Sequence, residues 1–192
     1  MPVREKWARV RAVSPSSAGA ASLKVTVAQI EGMDRAAFVH TFGGVFENSP
    51  WVAEQAWAAG PFADVTALHA AMCDAVRGAS RARQLALLGA HPDLACRAAR
   101  AGAMSAASVA EQASAGLDRL TDAEYERFTR LNAAYTAAFG FPFIIAVRRH
   151  DKAAILAAFE RRLLNTKDVE IATALEQVCE ITRLRLDALV AP

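Results

Sequence analysis

Apolar positions recur along most of this chain at the three- and four-residue spacing of amphipathic helices. After about residue 23 alanine is abundant, and the strict alternation of a half-buried strand is almost absent. The predicted helices cover about Arg35–Thr41, Trp51–Trp57, Val65–Arg77, Ala82–Gly89, Ser105–Gly116, Asp122–Phe139, Lys152–Leu164 and Lys167–Val190. Residues that can cap a helix precede them: Asp34, Ser49, Asp64, Ser80, Asp151 and the capping box formed by Thr121 and Glu124.

This pattern predicts one all-α domain over residues 23–192, with about eight to nine short helices rather than a regular bundle. Residues 1–22 end in a low-complexity run of serine, proline, alanine and glycine, and we predict a flexible tail there. The tail lacks the apolar centre of a secretion signal. We therefore expect a cytoplasmic protein.

One segment does not fit a helix. Residues Phe141 to Val147 are bulky, β-branched and interrupted by Pro142, which predicts a buried extended connector. Peptide groups outside a helix can bind the edges of a planar amide-like or urea-like ligand. The alternative is a connector with no binding role.

Composition excludes several classes of function. The formal net charge is +2 and the basic residues are scattered, which argues against nucleic-acid binding. No apolar run is long enough to span a membrane. The three cysteines, Cys73, Cys96 and Cys179, match no paired spacing, and we expect reduced thiols and no metal site.

The segment His91-Pro92-Asp93-Leu94 follows a predicted helix. Proline disfavours helical geometry in the residue before it, so the helix must end near His91, and Asp93 could cap the next helix. The imidazole would lie beyond a helix C-terminus, whose dipole favours the protonated form. A positioned imidazolium can act as a general acid. The alternative is a helix stop without chemistry.

Ser108, Glu111 and Gln112 are spaced to share one face of a helix. A hydroxyl, a carboxylate and an amide together could bind a small polar ligand. A solvated polar stripe is the alternative, but this helix has few apolar residues larger than alanine and would then have little to bury.

The last helix carries an arginine on its apolar side. At 100° per residue, Arg185 falls among Ile171, Val178 and Ile181, whereas Arg183 falls on the polar side. A buried guanidinium is costly unless it is paired. Arg185 could snorkel to solvent or pair with an internal carboxylate such as Glu111, or it could await an anionic ligand that its planar fork would bind.

Five sequence blocks occur in order between about Gln29 and Leu189. They are Phe38–Trp51, Gly89–Ala95, Ser108–Gln112 with Ala115–Leu117, Phe139–Arg148 and Ile181–Leu186. Together they resemble the 2-oxo-4-hydroxy-4-carboxy-5-ureidoimidazoline (OHCU) decarboxylases, which act third in urate breakdown to (S)-allantoin. Five blocks at family-like spacing are far more specific than any one. One departure is Arg149-His150, where relatives commonly carry glycine.

The resemblance implies an all-helical enzyme, frequently a homodimer, whose partner is the small molecule OHCU and which needs no metal or organic cofactor. It implies that His91 is the catalytic proton donor, that Glu111 assists, and that Arg185 grips the substrate. The substrate site that the resemblance implies comprises Pro92, Ser108, Val109, Ala110, Glu111, Gln112, Phe143, Ile144, Ile145, Ala146, Val147 and Arg185.

Two other interpretations remain open. His-Pro-Asp is also the signature of J-type co-chaperones, but the preceding segment here is apolar rather than lysine-rich, and the other blocks would go unexplained. A helical binding protein that has lost activity would keep the pocket. The presence of both His91 and Glu111 argues against that.

Overall fold

The computed structural model describes residues 24–95 and 104–191. Within these ranges the chain forms nine α-helices and one 3-10 turn, Val147–Arg149, so the all-α prediction is confirmed. The helices are α1 (Val27–Glu31), α2 (Arg35–Phe42), α3 (Trp51–Trp57), α4 (Val65–Arg77), α5 (Arg81–Gly89), α6 (Ala106–Ser114), α7 (Asp122–Phe139), α8 (Lys152–Arg162) and α9 (Lys167–Leu189). None of these helices is both long and apolar enough to cross a membrane. The predicted tail and Cys96 lie outside the described residues.

Local capping chemistry sets the start of most helices. Four predicted caps accept a hydrogen bond from the backbone N–H three residues later: Asp34, Asp64, Ser80 and Asp151. The predicted capping box of Thr121 and Glu124 begins α7. This helix ends at Gly140, whose φ of 84° is left-handed and suits glycine.

Three details differ from the sequence-based prediction. Ser49 does not cap α3, because Pro50 occupies the N-cap position and no side-chain hydrogen bond is made there. The helix α8 ends at Arg162 rather than at Leu164, which is 86% exposed. The sequence analysis does not predict α1, since a helix of five residues has too little periodicity to be recognised.

The site-forming elements surround α9, the longest helix. It packs against α4, α5 and α7 through a buried face that includes Ile171, Ala174 and Val178, as the periodicity predicts. The connector is buried and non-helical up to Ala146, also as predicted, and only its last residue, Val147, begins the 3-10 turn. The turn packs against α6. The end of α5, α6, the connector and α9 are thereby brought together.

Candidate active site

A small cavity lies where these four elements meet. It is lined by His91, Pro92, Leu94, Ser108, Glu111, Gln112, Phe143, Ile144, Ile145, Val147, Ile181 and Arg185. Its volume is about 30 Å³, which is room for about one or two water molecules. Nine of the twelve predicted substrate-site residues therefore share one cavity with the predicted catalytic His91.

The side chains of three predicted substrate-site residues do not line this cavity. Val109 is 40% exposed, and Ala110 lines a neighbouring cleft. Both follow Ser108 on α6 and project from other faces, because successive helical residues are turned by about 100°. Ala146 is buried, but its N–H donates to Gln177 Oε1 at 3.0 Å and its side chain contributes nothing to the cavity wall.

His91 lies just after α5 and is 8% exposed. Its Nδ1 is 2.9 Å from the carbonyl oxygen of Leu87. A carbonyl only accepts, so Nδ1 carries the proton and Nε2 is the nitrogen available to a ligand. Burial lowers the pKa of His91 by more than the Leu87 carbonyl raises it. The predicted protonated imidazole is therefore wrong: loss of hydration outweighs the effect of the helix end, and the neutral form is favoured.

Side chains from α6 and α7 hold the backbone after His91. Gln112 Oε1 accepts from the Ala95 N–H at 2.9 Å, and Asn132 Nδ2 donates to the Leu94 carbonyl at 2.7 Å. Gln112 thus shapes the cavity and anchors the segment that carries His91. The helix that Asp93 was expected to cap lies outside the described residues.

Arg185 is 8% exposed on α9, and all five of its N–H groups have protein acceptors. Nε and Nη2 donate to the two carboxylate oxygens of Glu111 at 2.8 and 2.9 Å. Nη2 also donates to Ser108 Oγ at 3.2 Å. Nη1 donates to the Val45 carbonyl and to Glu47 Oε2, both at 3.1 Å. Three environments were possible for Arg185: solvent, an internal carboxylate or an anionic ligand. The structure shows the internal carboxylate, Glu111.

Arg183 lies elsewhere, as the helical periodicity predicts. Its Nε donates to Asp187 Oδ1 at 3.0 Å and its Nη1 to Thr66 Oγ1 at 3.2 Å. It is not part of the cavity wall. Of the two arginines, only Arg185 is positioned to reach a ligand there.

Glu47 belongs to this site although the sequence analysis does not select it. It is 5% exposed and lies in the loop between α2 and α3. Burial raises the pKa of its carboxyl group, but hydrogen bonds from Ser105 and Ser108 and the charge of Arg185 together leave it below the ordinary value. A buried guanidinium has five donors, more than Glu111 can satisfy, so a further acceptor is expected, but nothing in the sequence singles out Glu47 for that role.

Ile145, a connector residue that lines the cavity, has a backbone N–H and a carbonyl without partners among the described residues. The Ile144 carbonyl accepts from Arg162 Nη1 at 2.7 Å, and the Ala146 N–H is bound by Gln177. Between them, Ile145 is 5% exposed and makes no backbone hydrogen bond to the described residues. Buried backbone polar groups are nearly always paired, so the N–H and the carbonyl of Ile145 are candidates for binding a ligand.

The chain is similar to known proteins over most of its length. The family model described as OHCU decarboxylase matches residues 31–187. A 2-oxo-4-hydroxy-4-carboxy-5-ureidoimidazoline decarboxylase of Haloferax volcanii is 48% identical over 163 residues, covering 85% of this chain and 95% of that protein. The protein of the same name from Halalkalicoccus jeotgali is 44% identical over 169 residues, covering 88% and 94%.

A solved structure described as (S)-allantoin synthase is also similar. It superposes with a TM-score of 0.68 at 36% identity, covering 86% of this chain and 54% of that one. Over the described residues, the fold and the cavity define an all-helical protein with a small cavity lined by His91, Glu111 and Arg185. The chain belongs to the OHCU decarboxylase family, as the five blocks predict.

Proposed function

We propose that this protein is a carboxy-lyase of urate degradation that converts OHCU into (S)-allantoin and carbon dioxide without a metal or organic cofactor. Its membership of the OHCU decarboxylase family supports the reaction. The main structural support is that His91, Glu111 and Arg185 line one cavity together with the connector.

The chemistry of the substrate explains how side chains alone can suffice. Its carboxyl group is on a ring carbon that also bears a hydroxyl group, and loss of carbon dioxide leaves an electron pair that the ring's carbon–nitrogen system can delocalise. The hydroxyl group then loses its proton to become a carbonyl, and the neighbouring ring carbon gains a proton. The ring nitrogen that received the electron pair takes up a second proton, which comes from the substrate's carboxyl group or from water. Orientation and proton transfer are therefore the enzyme's tasks.

His91 performs the proton transfers in this proposal. Its Nδ1–H is held by the Leu87 carbonyl and its pKa is lowered, so Nε2 is a free base at neutral pH. Nε2 takes the proton of the hydroxyl group and then delivers a proton to the ring carbon. The same imidazole thus acts first as base and then as the expected proton donor. Delivery to one face of the ring sets the (S) configuration, with Glu111 assisting.

Binding of the ring falls to the connector and its neighbours. The unpaired N–H and carbonyl of Ile145 can hydrogen-bond an edge of the ring or the ureido group, and Phe143 and Pro92 provide apolar walls. Ser108 and Gln112 add polar groups from α6. Arg185 binds the substrate carboxylate, for which a guanidinium is well shaped.

The cavity must widen to accept the substrate. A volume of about 30 Å³ is too small for a ring that carries oxo, hydroxyl, carboxyl and ureido substituents. Glu111 and Arg185 also border a neighbouring cleft of about 590 Å³, whose other walls include Thr41, Ala107 and Leu189. Separation of the Glu111–Arg185 pair would join the cavity to this cleft and provide the missing space.

The test is to generate OHCU in solution with uricase and the hydrolase that follows it, and to record circular dichroism. We expect optically active allantoin to form faster than the spontaneous racemic product. A His91→Asn variant, matched for concentration and helical content, should lose this acceleration. Racemic allantoin formed at the spontaneous rate by the wild-type protein would refute the function.

We also propose a cytoplasmic homodimer, because the family is frequently dimeric and because Cys73 and Cys179 are buried free thiols, which a reducing compartment preserves. Light scattering of the purified protein tests the oligomeric state. The competing co-chaperone interpretation requires an accessible His-Pro-Asp signature, and the burial of His91 speaks against it.

A further inference from the structure

Arg185 cannot bind a substrate carboxylate while it keeps all of its present partners. Each of its five N–H groups is already used. A carboxylate binds a guanidinium best along one edge, through two parallel hydrogen bonds. One present partner must therefore leave when the substrate arrives.

The two carboxylates beside Arg185 differ in their surroundings. Glu111 occupies the Nε–Nη2 edge, its side chain is 13% exposed, and it borders both the cavity and the neighbouring cleft. The Glu47 side chain is 6% exposed and belongs to neither wall. Free volume thus lies next to Glu111 and not next to Glu47, so Glu111 is the carboxylate that has space to be displaced into.

Glu47 is also held by several groups. Ser108 Oγ donates to its Oε2 at 3.0 Å, and Ser108 Oγ in turn accepts from the Ser105 hydroxyl at 3.0 Å. The Val45 carbonyl, from the same loop, accepts from the Arg185 Nη1 that binds Glu47. The loop between α2 and α3 therefore binds Nη1 of the guanidinium, whereas Glu111 binds the Nε–Nη2 edge.

We propose that Glu47 is a positioning residue, the fixed counter-ion that keeps Arg185 on the cavity wall, and that the substrate carboxylate replaces Glu111 on the Nε–Nη2 edge. This inference rests on the proposed function. After the exchange Arg185 remains paired with Glu47, so a buried guanidinium is never left uncompensated. Glu111 is released beside the reacting ring, where it can assist proton transfer.

The test compares Glu47→Gln with the wild-type enzyme. Glutamine keeps the shape of the side chain but removes its charge, so Arg185 loses its fixed counter-ion. We expect KM for OHCU to rise about tenfold or more, the size of a lost charge-assisted hydrogen bond, with a much smaller change in kcat. Inhibition by allantoin, which has no carboxylate, should keep its wild-type constant. A merely structural role for Glu47 would weaken both substrate and product binding.

Glu111→Gln is the opposing variant. It weakens the partner that competes with the substrate for Arg185, so KM should not rise, whereas kcat should fall. Glu47→Asp keeps the charge on a shorter side chain, and its KM should lie between those of the wild type and Glu47→Gln. It also replaces Glu47→Gln in the comparison if that variant folds poorly.

Glu54→Gln is the matched control, because Glu54 is an exposed carboxylate 3.5 Å from Arg35, and its kinetics should equal the wild type. An unchanged KM in Glu47→Gln, an equal rise in KM and in the allantoin inhibition constant, or a larger KM in Glu111→Gln would overturn the inference. An inactive wild-type protein would refute the proposed function itself, whereas an active wild type with unchanged KM in Glu47→Gln refutes only the role of Glu47.

Discussion

Arg162 and Arg185 are both buried and both bind glutamate, but their surroundings differ. Nε and Nη2 of Arg162 donate to Glu170 Oε1 at 2.8 and 2.6 Å, and the two side chains are only 5% and 0% exposed. Tyr135 and Asn165 also donate to the Glu170 carboxylate. One carboxylate therefore serves one guanidinium, and neighbouring groups satisfy what remains.

Arg185 has two carboxylates for one guanidinium, and one of them borders a cavity. The carboxylate that borders the cavity, Glu111, is the partner that a ligand can replace. A buried ion pair is weak evidence for stability by itself. An ion pair that only stabilises the fold therefore differs from a functional one in a single respect. In a functional pair, one partner can leave without leaving a buried charge unpaired.

The Arg162 pair and the Arg185 pair are nevertheless linked by the connector, residues Phe141 to Val147. Arg162 Nη1 donates to the Ile144 carbonyl at 2.7 Å, and its guanidinium lies 4.5 Å from the centre of the Phe143 ring. Ile144 and Phe143 both line the cavity. Arg162 and its partners thus hold a wall of the cavity that Arg185 also lines.

The largest expected effect comes from removing the side chain that we propose transfers protons beside Arg185. In His91→Asn, kcat should fall about 10²–10⁴-fold, the usual contribution of general acid–base catalysis, while the protein stays folded. The rate of (S)-allantoin formation by circular dichroism checks this, with far-ultraviolet spectra as the folding control. A folded variant with wild-type kcat would remove His91 from the mechanism.

The next effect concerns stability at the other arginine. Glu170→Gln leaves Arg162 buried without its counter-ion, and we expect the free energy of unfolding to fall by about 3–5 kcal/mol. Urea unfolding measures it. Glu160 is the control, because its pair with Arg127 is exposed and Glu160→Gln should cost less than about 1 kcal/mol. Equal losses in the two variants would mean that the Arg162 cluster is not a structural support.

The helices and the position of Arg185 can be predicted from the sequence, but the role of Glu47 and the pKa of His91 cannot, for physical reasons. Helix caps are local interactions, and periodicity correctly assigns Arg185 to the buried face of α9. Glu47 lies in a loop without periodicity, and its burial depends on a contact with a residue 138 positions away. The lowered pKa of His91 likewise follows from burial, which requires the tertiary structure.

Arg185→Lys should weaken substrate binding moderately. Compared with Arg183→Lys, it tests which of the two arginines binds the substrate carboxylate. Lysine keeps the charge but cannot form two parallel hydrogen bonds with one carboxylate. We expect KM for OHCU to rise about tenfold, on the order of one charge-assisted hydrogen bond. Arg183→Lys should leave KM unchanged, because Arg183 pairs with Asp187 outside the cavity. The reverse pattern would assign the substrate carboxylate to Arg183.

The smallest expected effect is on pH dependence. Burial lowers the pKa of His91 from its ordinary 6.5, with Leu87 and Glu47 opposing and Arg185 reinforcing the shift. The pKa of His91 is therefore lower in the folded protein than in the unfolded chain. The imidazole is in its base form at neutral pH and becomes protonated only when the pH falls through the folded-state pKa. We expect kcat/KM to be level near pH 7 and to decline on an acid limb below 6.5. Because the Glu47 carboxylate raises the pKa of His91, Glu47→Gln should move this limb to lower pH, whereas Glu170→Gln should not. An acid limb above 6.5 in the wild type would mean that His91 is not held neutral by burial.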